Sequence, residues 1–329
     1  KGNVMENPAI YTDLAVEARE MAVKRTGGEV SGVSVKEEEK TNSKVSRIKD
    51  LNERAAKRIG KPVGDYITIE SKGLSQNDRE LHTGLSGVIA EELARLIAAE
   101  NLGDNPSFFV VGLGNWNATP DALGPKVIHH TMITRHLYEE VPPELRKGLH
   151  SVAALSPGVM GTTGVQTAEI IKGVVDKANP DLVIAIDALA ARNVSRMGTT
   201  VQMSNTGINP GSGLGQKRIG INKESMGVPV IAMGIPTVVH ATTIASDAID
   251  KLLASPQFSG EEHKNYQGLN PRIKSQIVNE VLQPYFANLV VTPKGIDELI
   301  QDMSRCVAGG INIALHPDIT TDNVSLYLA

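Results

Sequence analysis

The sequence is poor in the features that mark secreted, membrane-spanning and nucleic-acid-binding proteins. A single cysteine, Cys306, excludes an intrachain disulfide and indicates a protein of the reducing cytoplasm. No run approaches the ~20 apolar residues that span a bilayer, and the N-terminus lacks the apolar core of a signal peptide. The net charge is −4, without the basic excess of a dedicated nucleic-acid binder. We therefore expect neither a membrane nor a nucleic acid as a direct partner.

The usual catalytic and cofactor motifs are also missing. The sequence has no Gly-x-Ser-x-Gly and no His-Glu-x-x-His, and Cys306 lies in a helix-like run rather than on a strand-to-helix turn. Gly112 and Gly114 lack the third glycine of a dinucleotide loop, and Gly211–Gly215 lacks the Lys-Ser/Thr of a phosphate loop. The sequence therefore predicts no nucleotide and no other cofactor.

What the sequence does contain is enough apolar material for a large core. Of 329 residues, 41% are hydrophobic. Strand-like and helix-like runs alternate, which predicts an α/β fold of three layers, with a mostly parallel, twisted central sheet and helices on both faces. The predicted strands are Tyr66–Ile69, Ser107–Val111, Val152–Leu155, Leu182–Ile186, Thr199–Met203, Val228–Ile235 and Asn288–Val291. The predicted helices are Asp13–Lys24, Gln76–Asn101, Pro120–Tyr138, Gly164–Lys177, a helix opened by Pro236, and Ile296–Leu315.

Two stretches depart from this alternation. Residues 25–62 form a polar excursion, whose charge cluster Lys36–Lys40 is typical of a solvated turn or edge. Residues 255–270 have no periodicity and predict an irregular insertion. Gly309 and Gly310 lie inside the last predicted helix, where paired glycines indicate close packing against another helix.

Two aspartates stand where predicted strands end. The strand Ser107–Val111 leads into a glycine turn, after which Thr119–Asp121 has the composition of a helix start. Asp187 directly follows the apolar run Leu182–Ile186. Because the carboxyl ends of parallel strands lie at one edge of a sheet, we expect Asp121 and Asp187 to meet in one crevice. Taken alone, Asp121 would be an ordinary first-turn acid that complements the helix dipole.

Several multi-residue motifs occur in a fixed order from about Tyr11 to Leu315. They are Val110-Val-Gly-Leu-Gly-Asn115, Thr119-Pro-Asp-Ala-Leu-Gly-Pro125, Pro157-Gly-Val-Met-Gly161, Ile184-Ala-Ile-Asp-Ala-Leu-Ala-Ala-Arg192, Pro210-Gly-Ser-Gly-Leu-Gly215 and Gly234-Ile-Pro-Thr-Val-Val239. In this combination the chain resembles the germination proteases of spore-forming bacteria and, more distantly, the hydrogenase maturation proteases. Each motif alone is a weak signal, but the six together are specific.

The resemblance implies an activity and a setting. It implies an endopeptidase that begins the degradation of the small acid-soluble spore proteins during germination, so these proteins are the expected partners. It implies a sheet like that of the hydrogenase maturation proteases, of the phosphorylase/hydrolase-like type. It also implies a homotetramer and a cytoplasmic location in the forespore and spore core.

The resemblance further implies a zymogen that processes itself. The stretch Thr12-Asp-Leu-Ala-Val-Glu-Ala18 is similar to the sites that this family cuts, with Asp13–Leu14 as the implied scissile bond. Residues 1–13 are then a propeptide and residues 14–329 a single protease domain. Because residues before Leu14 are present, we expect the uncut precursor. Thr12 or Asp13 is equally suited to cap a helix.

A peptide bond can be hydrolysed by two carboxylates that share a proton. One carboxylate activates water while its protonated partner polarises the carbonyl group. Mutual repulsion raises one of the two pKa values, and a helix N-terminus near Asp121 lowers its own. The sequence therefore predicts Asp187 as the acid and Asp121 as the base.

Two alternatives stay open at this point. His240, expected at a helix start, could join Asp121 and Asp187 in a metal site of the maturation-protease type. A non-catalytic binding module is less favoured, because it leaves both strand-end acids without a purpose. Lys126 and Arg192, each five places beyond one of the aspartates, are candidates for balancing the carboxylate charge or binding acidic substrate side chains.

Overall fold

A nine-stranded sheet organises the chain in the computed structural model, which describes residues 12–49, 51–142, 144, 146–209, 219–254, 280, 285 and 289–328. The strands are β1 (Ser34–Lys40), β2 (Ser43–Lys49), β3 (Tyr66–Glu70), β4 (Ser107–Gly112), β5 (Ser151–Leu155), β6 (Leu182–Ala191), β7 (Thr200–Ser204), β8 (Val230–His240) and β9 (Val290–Val291). The helices are α1 (Ala15–Thr26), α2 (Glu53–Ile59), α3 (Arg79–Ala99), α4 (Leu123–His130), α5 (Leu137–Glu140), α6 (Met160–Thr163), α7 (Thr167–Ala178), α8 (Lys223–Met226), α9 (Ala241–Ala254) and α10 (Ile296–Leu315).

The sheet has two blocks of different strand pairing. The strand order is β1-β2-β3-β7-β8-β6-β4-β5, with β9 paired to the end of β8. Strands β5, β4, β6 and β8 pair in parallel and form the parallel block. Strands β7, β3, β2 and β1 pair antiparallel and extend the sheet from β8 as the antiparallel block. Within this extension, β3 and β1 run in the same direction as the four strands of the parallel block. Most strands of the sheet therefore share one direction, and the predicted α/β class with a mostly parallel central sheet is confirmed.

Helices cover both faces of the sheet, as predicted. Along β6 the side chains alternate, so Ile184 and Ile186 pack with α3, α4 and α10 on one face. Val183 and Ala185 pack with α7 and α8 on the other. Over the antiparallel block this second face is covered by α1 and α2. The two apolar faces and their helices make the three layers.

Two predicted helices were wrong in their extent. The stretch from Pro120 to Tyr138 is interrupted after α4, because the amides of Thr134 and Arg135 both donate to the carbonyl of Val152 at the sheet edge. Pro236 does not open a helix but lies inside β8, which continues to His240. Its position is beside a register irregularity between β6 and β8, where a strand can accommodate a proline without an amide hydrogen.

The polar region 25–62 contains β1, β2 and α2 and forms the outer part of the antiparallel block. The cluster Lys36–Lys40 lies on the exposed edge strand β1, where charge discourages pairing with another chain. The predicted close packing of Gly309 and Gly310 is confirmed, since a Cβ on Gly310 would lie 2.4 Å from Cγ2 of Ile89 in α3.

The predicted propeptide residues before Thr12, the motif from Pro210 to Gly215 and the insertion 255–270 lie outside the described residues. Within the described ranges, no helix combines the length and the apolar character needed to cross a bilayer.

Candidate active site

Asp121 is positioned by the glycine turn that follows β4. Gly114 has a φ of +109°, a backbone conformation that suits glycine. The amide of Asn115 donates to the Asp121 carboxylate at 2.8 Å and to its carbonyl oxygen at 3.1 Å. A Cβ on Gly114 would lie 2.0 Å from that carbonyl oxygen. The glycine motif therefore allows the chain to fold back on the aspartate, and its role is to place a carboxylate.

Asp187 lies within β6 rather than at its end, which corrects the predicted strand boundary. β6 continues to Ala191 because β8 pairs with it on both sides of the register irregularity. The Asp187 side chain shares its sheet face with Val183 and Ala185 and accepts a hydrogen bond from the amide of Ala188 at 2.9 Å. The structure thus presents this carboxylate from a rigid strand interior.

Asp121 and Asp187 line one cleft of about 970 Å³. Burial raises the pKa of Asp187 well above its ordinary value of 3.8, and the neighbouring carboxylates of Asp121 and Asp13 raise it further. The amide of Ala188 opposes this shift with a smaller effect. A carboxyl group with a raised pKa beside a second carboxylate is the arrangement that a shared proton requires.

The N-terminal segment Thr12–Glu17 lies at the same cleft, whose wall includes Thr12 and Asp13. The backbone amide of Asp13 donates to the carbonyl of Ala190 at 2.9 Å, and the amide of Ala190 donates to the Asp13 carboxylate at 2.7 Å. Leu14 is fully buried in an apolar cluster that includes Leu189 of β6. The segment is therefore held by both its backbone and its side chains.

Glu17 anchors the far end of this segment, and only 2% of it is exposed. Its carboxylate accepts hydrogen bonds from the amides of Arg192 at 2.7 Å and Asn193 at 2.8 Å. The guanidinium of Arg196 lies 3.5 Å away, and the hydroxyl of Thr12 also donates to this carboxylate. Such charge-assisted hydrogen bonds offset the cost of burying an acid.

Lys61 and Gln202 also contact the segment, and both were missed from the sequence. Lys61 Nζ donates to the carbonyl oxygens of Thr12 at 3.0 Å and Asp13 at 2.8 Å. Gln202 Nε2 donates to the Asp13 carbonyl at 2.9 Å, while its Oε1 accepts from the amide of Ala15. Burial lowers the pKa of Lys61, and the charges of Asp13 and Glu17 offset part of this effect. The available signal was a polar glutamine between the apolar residues Val201 and Met203 of a predicted strand.

His240 is the last residue of β8, not the start of a helix, and it lines the cleft. Burial lowers its pKa, while the charge of Asp13 opposes the shift. Among the residues that the structure describes, no three His, Cys, Asp or Glu side chains group closely enough to hold a metal ion. The donor set Asp121, Asp187 and His240 is therefore not favoured as a metal site.

The two predicted basic residues lie elsewhere. Lys126 is half-buried in α4 and is not among the described residues that line the cleft. The guanidinium of Arg192 pairs with Asp247 of α9 at 2.9 Å, so only its backbone amide reaches the segment, at Glu17. Cys306 is buried in α10, where burial raises its pKa to about 12 and disfavours the nucleophilic thiolate.

Comparisons with known proteins support the family resemblance that the sequence motifs indicated. The sequence profile of the germination protease family matches residues 13–273 and 266–328. A germination protease of Caldanaerobacter subterraneus subsp. tengcongensis is 50% identical over 97% of this chain and 98% of its own length. Those of Clostridium tetani and Bacillus licheniformis are 44% and 41% identical, each over 97% of this chain and over 99% and 96% of their own lengths.

Among solved structures, the NiFe hydrogenase maturation protease HycI from Thermococcus kodakarensis KOD1 is similar at a TM-score of 0.33 and 16% identity, over 66% of this chain and 98% of that chain. The sequence matches are much stronger and extend over nearly the whole length of both partners, and the range matched by the family profile covers both cleft aspartates. On that ground the chain belongs to the germination protease family and is a protease.

Proposed function

We propose that this chain is an aspartic-type endopeptidase in which Asp121 and Asp187 share one proton. The observation that carries the proposal is that Asp121 and Asp187 line one cleft, where burial and the neighbouring carboxylate of Asp121 raise the pKa of Asp187. A raised pKa keeps a carboxyl group protonated at a pH where an ordinary aspartate is ionised. Asp187 is then the general acid, and Asp121 is the general base.

The two carboxyl groups divide the hydrolysis between them. Asp121 takes a proton from a water molecule as the water oxygen bonds to the carbonyl carbon of the substrate. Asp187 gives its proton to the leaving nitrogen as the carbon–nitrogen bond breaks. The two aspartates end with exchanged protonation states, and transfer of one proton restores them.

The seated segment supports self-cleavage at Asp13–Leu14. Asp13 lines the cleft together with both catalytic aspartates, and its charge contributes to the raised pKa of Asp187. Residues 1–13 are in this proposal a propeptide and residues 14–329 the protease domain. An uncut segment in the cleft blocks other substrates, which is the behaviour of a zymogen.

The proposed substrates beyond the chain itself are the small acid-soluble spore proteins, met in the forespore and spore core. The supporting observation is that the backbone amides of Arg192 and Asn193 bind the Glu17 carboxylate, which favours substrates with an acidic residue four positions after the cleaved aspartate. The proposed assembly is a homotetramer, as the family resemblance implies, and size-exclusion chromatography with light scattering tests it directly.

Replacing either catalytic aspartate by asparagine tests the proposal. We expect Asp121→Asn and Asp187→Asn each to lower self-cleavage and cleavage of a peptide containing Thr-Asp-Leu-Ala-Val-Glu by at least about 10³-fold, because each removes an indispensable proton carrier. Asp176→Asn is the matched control, since Asp176 pairs with Lys172 on the exposed face of α7. Substantial activity in either dyad variant refutes the proposal. Loss of activity with a chelator, restored by zinc or manganese, would instead favour the metal-dependent alternative.

A further inference from the structure

Two side chains from the antiparallel side of the cleft converge on one carbonyl oxygen. Lys61 Nζ and Gln202 Nε2 lie 2.8 Å and 2.9 Å from the carbonyl oxygen of Asp13, the acyl side of the proposed scissile bond. We propose that Lys61 and Gln202 form the oxyanion hole of this protease. This inference rests on the proposed cleavage of Asp13–Leu14.

Gln202 is placed for this role by the sheet itself. Gly234 of β8 pairs with Asp187 on one side and with Gln202 on the other, so the three residues form one row across the sheet. Paired residues share a sheet face, and neighbouring strands lie about 4.8 Å apart, so Asp187 and Gln202 flank a gap of roughly 10 Å. The gap is open because Gly234 has no side chain. A Cβ there would lie 2.5 Å from the carbonyl oxygen of Asp187.

The segment crosses this gap. Asp13 hydrogen-bonds to Ala190 of β6 through its amide and carboxylate, and to Gln202 of β7 through its carbonyl. Gln202 also accepts from the amide of Ala15, so its two amide atoms contact the chain on both sides of the Asp13–Leu14 bond. The side chain thereby fixes the orientation of that peptide group.

Lys61 is placed by the end of α2. Gly60 ends this helix in the left-handed conformation, with a φ of +75°, and its amide bonds to the carbonyl of Ala56. The next residue, Lys61, is then directed at the segment, where its ammonium group contacts the carbonyls of Thr12 and Asp13. Lys61 is partly buried in the cleft wall. A cation held in a desolvated cleft stabilises developing negative charge more strongly than it does in water.

These contacts give each group one task in a balanced reaction. Water bonds to the carbonyl carbon of Asp13 and loses a proton to Asp121, while the π-electron pair moves onto the oxygen held by Lys61 and Gln202. The pair then re-forms the carbonyl as the carbon–nitrogen bond breaks and Leu14 takes the proton of Asp187. Since two donors already bind the oxygen, Lys61 and Gln202 polarise the carbonyl, a task that the sequence assigned to the protonated aspartate.

Self-cleavage provides a direct test, because the bond is already seated and its first-order rate constant reports the chemical step. Full-length chain from pulse-labelled cell-free synthesis is followed by mass spectrometry of the Asp13 and Leu14 ends. We expect Lys61→Met and Gln202→Met each to lower the rate constant by about 100-fold or more, the usual effect of losing one oxyanion donor. Lys61→Arg keeps the charge and donors, so we expect it to retain at least about one tenth of the rate.

Matched controls separate this role from general effects. Lys57→Met and Gln76→Met make the same changes at exposed positions, and we expect no effect on the rate. Hydrogen-exchange mass spectrometry of residues 12–17 shows whether the segment stays seated. We expect the segment to stay protected in Lys61→Met and Gln202→Met as in the parent chain, apart from the Ala15 amide, which loses its acceptor in Gln202→Met. If Lys61→Met does not fold, Gln202→Met decides the question together with Lys61→Arg.

Two results overturn the inference. One is a folded Lys61→Met or Gln202→Met chain that cleaves within about threefold of the parent rate. The other is a slow variant whose segment exchanges as fast as an unstructured peptide, because the two residues then only hold the segment in place. Asp187→Asn, measured in parallel, distinguishes the failures. An inactive Asp187→Asn with an active Lys61→Met refutes the oxyanion hole alone, whereas an active Asp187→Asn refutes the dyad.

Discussion

The two blocks of the sheet contribute different chemistry to one cleft. The parallel block supplies the acids, with Asp121 after β4 and Asp187 inside β6. The antiparallel block supplies the donors, with Gln202 on β7 and Lys61 beyond α2. Asp121 stands in a strand-to-helix connection, where parallel sheets commonly hold ligands, whereas Asp187 is presented from within β6. Gln202 depends on the pairing of β7 with β8 and Lys61 on the end of α2, so the comparison shows that the site is assembled at the junction of two sheet types.

In the parallel block, we expect the largest losses of cleavage and stability from a substitution in the glycine turn after β4. We expect Gly114→Ala to lower cleavage at least about 100-fold and to destabilise the fold by about 3 kcal/mol or more, because the new Cβ would lie 2.0 Å from the backbone of Asp121. Cleavage assays and urea unfolding measure the two effects. Gly227→Ala is the control: it shares the left-handed backbone, with a φ of +78°, but its Cβ meets open space. Equal losses in both variants would contradict a specific role for the turn.

In the antiparallel block, a substitution can lower the stability of the fold without affecting cleavage by Asp121 and Asp187. Glu92 is fully buried and pairs with Arg47 of β2. We expect Glu92→Gln to lower the free energy of unfolding by about 3 kcal/mol, since it leaves a buried guanidinium without its main partner. Glu91→Gln, at a more exposed ion pair, costs less than about 1 kcal/mol. Both variants are then assayed for cleavage at a temperature where they are folded. A cleavage rate within about twofold of the parent supports the separation of the Arg47–Glu92 ion pair from the catalytic acids, and a large loss of rate contradicts it.

A smaller effect on self-cleavage is expected from a substitution in the segment Thr12–Glu17, which contacts both blocks. We expect Glu17→Gln to slow self-cleavage by about tenfold, because the neutral side chain loses one carboxylate acceptor and its attraction to Arg196. Glu20→Gln removes an exposed partner of the same arginine and serves as control. Pulse-labelled chain resolves both rate constants. Indistinguishable rates in the two variants would show that the Glu17 site does not position the scissile bond.

The raised pKa of Asp187 makes the stability of the folded chain depend on pH. Its pKa is raised in the folded chain, so its contribution to stability is fully present below the ordinary value of 3.8 and is lost as the pH rises through the raised pKa. Asp187→Asn does not titrate, and we therefore expect its stability advantage to grow above pH 4 by at most about 1.4 kcal/mol per pH unit. Urea unfolding of both chains at several pH values measures this gap. A gap that does not change with pH contradicts the raised pKa.

The sequence predicted the parallel block better than the antiparallel one, for physical reasons. Asp121 follows an apolar run and a glycine turn, and Asp187 follows an apolar run; these local signals located both acids, although β6 continues beyond Asp187. The function of Gln202 depends on Gly234 lying beside it, a pairing between strands far apart in sequence that no local pattern encodes. Lys61 depends on the cap of α2, inside a region predicted only as polar.

The wrong boundaries have a similar origin. Pro236 normally suggests a break, but the irregular register between β6 and β8 lets β8 continue to His240. The final helix, in contrast, was predicted at the residues where α10 lies, because a long amphipathic stripe is a strong local signal.

The pKa of Asp187 itself is the most direct test of the shared proton. Titration of chain labelled with 13C at the aspartate carboxyl carbons, with the Asp187 signal assigned by its loss in Asp187→Asn, measures this value by NMR. We expect a pKa well above 3.8 that falls in Asp121→Asn, when one neighbouring charge is removed, yet stays raised because burial persists. Mass spectrometry verifies that both samples have the same N-terminus. A value near 3.8, or one that Asp121→Asn leaves unchanged, would contradict a proton shared between Asp121 and Asp187.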